Sequence, residues 1–262
     1  MKFIDSHCHF DFDIFSPDRD QIWQRCIDIG IDRVIIPGVC EEQWLSLGDL
    51  VAGRQGWLMA AGVHPWWVGK LQEDSFSKSK LKQLKDSLAA SLIRHSCVAV
   101  GECGLDASTN ASLAAQEAIL RIQLEVASGQ NLPVILHVHR AHNELLRLLN
   151  QYKLPRGGVI HAFSGSEQMA LEYWKRGFYL GVGGTITYSR AVKTRRTFSQ
   201  VPLESLLLES DAPDMPLSGH QGKRNSPENL SGIAQELADL RGVPVKVVAD
   251  VTYRNTEKLF SL

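Results

Sequence analysis

The chain has 262 residues, 44% hydrophobic and 22% charged, with a formal net charge of -1. These are the proportions of an ordinary soluble globular protein. The near-zero charge excludes a broad basic surface gripping long nucleic acid through many phosphates, but leaves room for a small phosphate pocket with its own metal charge.

The five cysteines, Cys8, Cys26, Cys40, Cys97 and Cys103, are odd in number and scattered without C-x-x-C spacing. That usage favours free thiols in a reducing compartment over a disulfide framework. Only a brief apolar stretch precedes Asp5, which does not read as a signal peptide, and no run approaches the ~18 apolar residues of a membrane span. A cytoplasmic location is expected, with no membrane association and no obligate protein partner.

In chain order, Phe3-Ile4-Asp5-Ser6-His7-Cys8-His9 reads as a short strand ending in a His-x-His pair. Residues two apart on a strand point to one side, so His7 and His9 share a space and Cys8 points away. Ser16-Pro17-Asp18 reads as a helix start, and Gly30 as its end. Arg33 to Gly38 is an apolar strand without alternation, as in strands buried on both faces. A helix from Glu41 to about Val51 precedes the strand Trp57 to His64. A polar helix spans about Lys78 to His95, followed by the strand Cys97 to Glu102 and a helix that stops near Gly129. Pro133 to His137 is the fifth strand, with Glu144 to Leu149 in its helix, and Val159 to His161 is the sixth. Ser164-Gly165-Ser166-Glu167 reads as a capping box. Phe178 to Val182 is the seventh strand, followed by a basic segment with Arg190, Lys193, Arg195 and Arg196. Leu206 to Asp211 is the eighth; a helix starting at Ser226-Pro227 and another over about Val245 to Phe260 close the chain.

Eight strand-then-helix units of roughly thirty residues predict a parallel (β/α)8 TIM barrel, a fold of about 250 residues. No composition break marks a second domain, so residues 1–262 are expected to form one. An open doubly wound sheet is the alternative, but no G-x-G-x-x-G follows the first strand.

Within that pattern, His7/His9, His64, Glu102, His137, His161 and Asp211 each end a different strand, and in a barrel those ends share one mouth. Singly, each has an ordinary reading: Glu102 caps a loop, Asp211 sits in a turn, and His161 is a hydrogen-bonded core histidine. Jointly, ordinary readings require five or six coincidences at one end of one barrel, whereas a metal site requires none. Four imidazoles and two carboxylates exceed the needs of one tetrahedral ion and suit two divalent ions (Zn, Mn or Mg). Glu102 is the expected bridge, with His7, His9 and Asp211 on one ion and His137 and His161 on the other.

Asp5-Ser6-His7-Cys8-His9, Gly62-Val63-His64-Pro65, Gly101-Glu102-Cys103-Gly104-Leu105-Asp106, Pro133 to His137, His161-Ala162-Phe163-Ser164-Gly165, Glu209-Ser210-Asp211-Ala212-Pro213 and Arg224-Asn225-Ser226-Pro227 resemble, in order, the motifs of the TatD family of metal-dependent deoxyribonucleases. That family belongs to the amidohydrolase superfamily, and within it the chain is similar to a bacterial branch of TatD-like hydrolases. The resemblance runs from residue 3 to about Phe260. It implies a metal-dependent phosphodiesterase acting on a DNA end, often from the 3′ side, or on a small phosphodiester. It places metal-ligand roles on His7, His9, Glu102, His137, His161 and Asp211. Two positions depart from the family pattern: His139 stands where Arg is common, and Ser226 where a Glu is common.

The mechanism expected is attack by a hydroxide that two metals activate, with Asp211 and Glu102 as catalytic carboxylates. His64 is expected to hold phosphate rather than serve as a full ligand. His139, Lys223 and Arg224 are candidate phosphate contacts, each with an ordinary surface alternative. Trp66 and Trp67 either stack a base or pack on the barrel rim. Competing functions are a C–N hydrolase (deaminase or cyclic amidase) on the same barrel, and a barrel that binds without catalysis. A carboxylated Lys often bridges the metals of C–N hydrolases at the fourth strand; this chain has Glu102 there.

Overall fold

A computed structural model describes every residue except Gln72. Its strands are β1 (Phe3–Asp5), β2 (Ile31–Pro37), β3 (Trp57–Ala61), β4 (Ala99–Asp106), β5 (Val134–His139), β6 (Gly158–Ile160), β7 (Phe178–Val182) and β8 (Leu206–Leu208). They form one eight-stranded sheet in the order β1 to β8. The last strand returns to the first: Ser6 N–H donates to Leu208 O at 3.0 Å, and Asp211 N–H donates to His7 O at 2.9 Å. Consecutive order, parallel pairing and that return make the sheet a barrel, and exclude the doubly wound alternative. The helices are α1 (Arg19–Asp28), α2 (Glu41–Val51), α3 (Pro65–Val68), α4 (Lys78–Arg94), α5 (Leu113–Gln130), α6 (His142–Leu149), α7 (Glu167–Lys175), α8 (Val192–Gln200), α9 (Leu230–Arg241) and α10 (Val245–Phe260).

Compactness groups the chain into two units. The first comprises Met1–Ile36, Gln55–Trp57 and His161–Leu262. Val34, Ile35 and Ile36 of β2 are all fully buried, which explains a strand with no polar alternation. Phe10 packs against Phe15, with ring centroids 5.0 Å apart, and against Trp57 at 5.1 Å. Each such ring contributes roughly 1.5–3 kcal/mol by leaving water. Asn255 of α10 donates to Leu203 O and Leu206 O at 3.1 and 2.8 Å and holds the start of β8.

The second unit comprises Pro37–Arg54 and Leu58–Ile160. Its centre is β4, every residue of which is buried, paired with β5. Val100 faces Val134 but Cys103 faces Leu136, so β4 carries one extra residue across the step containing Glu102. A bulge of this kind re-aims a side chain. Gly104, at φ +149°, makes the close approach to β5 possible, since a Cβ there would overlap His137 O.

Several boundaries differ from the sequence reading. The first helix begins at Arg19, not at Ser16-Pro17, because the Arg19 guanidinium reaches back to Phe10 O, Phe12 O and Ser16 Oγ and holds that stretch in turns. The capping box at Ser164 does not form: Ser166 caps α7 by accepting Met169 N–H at 3.3 Å, and Ser164 Oγ bonds Thr194 Oγ1. β4 runs four residues beyond Glu102, so Glu102 lies within the strand and Asp106 ends it. His7, His9, His64, His161 and Asp211 lie just past their strands: β1, β3 and β8 are shorter than expected, and β6 begins and ends one residue earlier.

Candidate metal centre

The first unit gathers His7, His9, His161 and Asp211. The Nε2 atoms of His7 and His9 lie 3.3 Å apart. Asp211 Oδ1 is 3.6 Å from the first and 3.8 Å from the second. Two donors each about 2.1 Å from a tetrahedral ion lie roughly 3.4 Å apart, so this set fits a common cation. His161 stacks on His7 with centroids 3.7 Å apart and planes 16° off parallel. Two imidazolium rings so placed would repel, so the stack favours neutral rings, the form that ligates metal.

Carboxylates stand behind these rings. Glu209 Oε1 lies 3.1 Å from His161 Nδ1 and accepts Ala162 N–H at 2.6 Å. On the other side of the ring, His161 Nε2 lies 3.9 Å from Asp211 Oδ2. A carboxylate on one imidazole nitrogen fixes the ring and raises the basicity of the other, as metal-ligating histidines require. Gly181 provides the room: a Cβ there would meet Glu209 Oε2 at 2.2 Å. Asp5 Oδ1 accepts N–H from His7 at 3.2 Å and from Ser210 at 2.9 Å. Burial pushes the Asp5 carboxyl up to about 7, against the lowering effect of these bonds. Asp211 adopts φ 54°, a left-handed conformation costly for a residue with a Cβ. Asn225 holds the loop beyond it, donating to Ser210 O and Met215 O at 2.9 and 3.2 Å.

The second unit gathers His64, Glu102 and His137, whose ligand atoms lie within 4.8 Å of one another. Glu102 Oε1 is 3.3 Å from His137 Nδ1 and 3.4 Å from His64 Nε2. Asp106 Oδ2 bonds His137 Nε2 at 3.2 Å, which directs Nδ1 to the Glu102 side. His64 differs. Its Nδ1 accepts the backbone N–H of Trp66 at 3.1 Å, so in the neutral ring Nε2 carries the proton. His64 in that tautomer presents an N–H on its Glu102 side. The Asp106 carboxyl is held well below the usual carboxylate range: burial opposes this, and bonds from His137, Ser108 and Trp66 outweigh it.

Asp106, Glu209, Asp5 and two buried glutamines were not assigned roles from the sequence. Gln116 accepts Asp106 N–H at 2.7 Å and donates to Asp106 O at 2.9 Å. Gln123 does the same to Val63, at 2.7 and 3.1 Å. Seven residues apart on α5, they clasp the backbone at Asp106 and beside His64. The signal was present as polar residues inside the apolar stripe of α5, and as acids two or four positions from the assigned ligands.

His139 ends β5 and is exposed, as is Lys223. The Arg224 guanidinium is engaged by Asp18, at 2.6 and 2.9 Å, and by Ile14 O at 2.7 Å, and it lies over the Phe15 ring. Ser226 Oγ donates to Glu228 Oε2 at 2.7 Å, and Glu228 pairs with Arg25. The Arg224-to-Pro227 motif thus works as a clasp. Cys8 and Cys103 are fully buried, and all five cysteines are free thiols. Among the described residues, no helix is long and apolar enough to cross a membrane.

A closed parallel barrel carrying imidazole–carboxylate clusters defines a metal-dependent hydrolase, and the chain belongs to the family described as TatD related DNase, whose model matches residues 4–261. It is 41% identical to the metal-dependent hydrolase YjjV of Escherichia coli strain K12, over 100% of this chain and 98% of that protein. The crystal structure of that TatD homologue superposes with a TM-score of 0.89, covering 99% of this chain and 98% of that one. The chain is also 32% identical to a 3′-5′ ssDNA/RNA exonuclease TatD of Citrobacter rodentium strain ICC168, covering 95% of this chain and 94% of that protein.

Proposed function

We propose that the protein is a divalent-metal-dependent phosphodiesterase acting on DNA ends or small phosphodiesters. In this reading His7, His9, Glu102, His137, His161 and Asp211 hold two divalent ions, which are Zn, Mn or Mg. The observation that carries it is the pairing of carboxylate with imidazole behind the ligands: Glu209 on His161 Nδ1 and Asp106 on His137 Nε2. Each leaves the opposite nitrogen facing a second carboxylate, an expensive assembly of buried charge unless a cation is shared. Phosphodiester chemistry is preferred over C–N hydrolysis because β4 offers Glu102 where a carboxylated Lys would be needed, and because a relative is named as a 3′-5′ ssDNA/RNA exonuclease.

Bound divalent ions supply Lewis acidity, lowering the pKa of water and neutralising phosphoryl charge. The chain's own groups do the rest. Asp211 is 8% exposed, enough for its carboxylate to accept a proton from the attacking water. Glu102 fixes His137 and His64 from between them. His64 donates Nε2–H to a phosphoryl oxygen where charge develops. Because Asp18 already answers Arg224, Lys223 and His139 are the preferred outer phosphate contacts.

Metal-stripped protein reloaded with Mg²⁺, Mn²⁺ or Zn²⁺ should be assayed on an end-labelled DNA strand, a chromogenic phosphodiester and a panel of amides. Cleavage of a phosphodiester that disappears in Glu102→Gln is expected. Amide hydrolysis without phosphodiester cleavage, or cleavage indifferent to Glu102, would overturn the proposal.

A further inference from the structure

In the second unit, a groove of about 420 Å³ is lined by Trp66, Gly69, Lys70, Ser108, Thr109 and Asn110. Trp66 is 56% exposed, yet its ring is not free to turn. The indole Nε1–H donates to Asp106 Oδ2 at 2.9 Å, and the ring meets His64 edge-on at 89° with centroids 5.4 Å apart. Backbone and side chain of one residue are thus both tied to the Glu102 cluster. A ring fixed before a ligand arrives loses little entropy when something flat stacks on it.

Trp67 offers no such surface, because Lys70 Nζ sits over its ring at 4.4 Å. That contact holds an ammonium in the groove lining, and among the described residues no carboxylate neutralises it. Asn110 is exposed and its amide makes no hydrogen bond within the described residues. Ser108 and Thr109 hydroxyls are already committed, to Asp106 Oδ1 at 2.6 Å and Asp106 O at 3.2 Å, so they form a rigid wall. Gly69 adds no bulk. A flat apolar platform, with a cation and an amide that find no polar partner among the described residues, calls for a flat heteroaromatic ring with hydrogen-bonding edges next to an anion.

We propose that this groove is a nucleotide subsite for single-stranded substrate. One nucleobase stacks on Trp66, the Asn110 amide bonds its edge, and Lys70 takes the adjoining phosphate. The proposal rests on the phosphodiesterase reading above and adds to it: Asp106 Oδ2 receives both the Trp66 indole and His137 Nε2. A base on Trp66 is therefore one carboxylate removed from a metal-binding imidazole, and Trp66 sets which nucleic acid strands are productive. Stacked duplex bases do not present a free face, so single strands are preferred.

Two measurements test it. In the first, single-stranded trideoxyadenylate and its abasic counterpart are titrated by calorimetry into metal-free protein, where nothing is cleaved. Wild type and Trp66→Phe should bind the base-bearing strand, and Trp66→Ala should bind it more weakly by on the order of ten-fold. Lys70→Ala should weaken both strands alike and reduce the log-log salt slope by about one. In the second, the ratio of kcat/KM for base-bearing over abasic ends is measured in metal-loaded protein. That ratio cancels any general loss from the broken Trp66–Asp106 bond, and it should collapse in Trp66→Ala while surviving in Trp66→Phe. Equal binding of both strands by wild type, or a ratio unchanged in Trp66→Ala, would overturn the subsite. If no phosphodiester is cleaved at all, the phosphodiesterase reading fails, and the calorimetry still decides the subsite.

Discussion

The two clusters solve one problem, holding imidazoles beside carboxylates ready for a cation, by different means. The first is assembled from residues just past short strands: His7 and His9 after β1, His161 after β6 and Asp211 after β8. Its order comes from buried acids, Asp5 and Glu209, and from a left-handed backbone at Asp211. The second takes His64 from just past β3 but is otherwise built within the long strands β4 and β5, where a bulge turns Glu102 and Asp106 bonds His137. One of its imidazoles is committed as a donor and its acid reaches an exposed tryptophan. Under the proposed function the contrast separates roles: the first cluster would serve chelation, the second chelation joined to substrate contact.

The sharpest way to break that contrast is Asp211→Asn. Loss of the proton-accepting carboxylate should lower turnover by roughly 10²- to 10⁴-fold while thermal stability changes little. Equal losses of both would mark Asp211 as a structural residue. Next come the supporting acids. Glu209→Gln and Asp106→Asn should each lower metal affinity, measured by calorimetry, by about 10- to 100-fold. Asp106→Asn alone should also alter the fluorescence of Trp66.

Asp106 carries a pH signature as well. Its folded-state pKa is depressed, so its stabilisation is fully present above its unfolded value, near 3.8, and is lost as pH falls through the folded one. The stability gap between wild type and Asp106→Asn, read from urea midpoints, should therefore narrow in acid; a gap constant with pH would contradict the ion-paired carboxylate. Gln123→Leu removes a clasp from Val63 and leaves its buried backbone groups unpaired, a cost of roughly 1–3 kcal/mol. It should raise KM through a displaced His64 more than it weakens metal binding.

The smallest effect belongs to Arg224→Ala. Bonded to Asp18 at a partly exposed site, it should cost about 1 kcal/mol or less. Activity on DNA ends should hold. A large loss of activity with unchanged stability would return Arg224 to the phosphate contacts.

Local chemistry made much of this legible. The apolar run of β2, the turn glycines and the repeated strand-then-helix period are properties of neighbouring residues, and they yield the barrel without knowledge of distant contacts. The ligand-type residues were legible for the same reason, since each falls near a strand end that the apolar pattern marks. The supporting residues were not. Asp106 looks like a loop acid until β4 is seen to run past Glu102, which depends on Gly104 lying against β5. Gln116 and Gln123 interrupt the apolar stripe of α5, but only the folded chain shows which backbone groups they bond.

Sequence by itself determined the fold and the inventory of donors, because period and residue type are encoded locally. Tertiary structure alone decided which nitrogen of each imidazole is engaged, which tryptophan is held open, and that Arg224 already has a partner. Apart from the Trp66 N–H on His64 Nδ1, those depend on hydrogen bonds between residues 31 to 206 positions apart, and no local pattern carries that information.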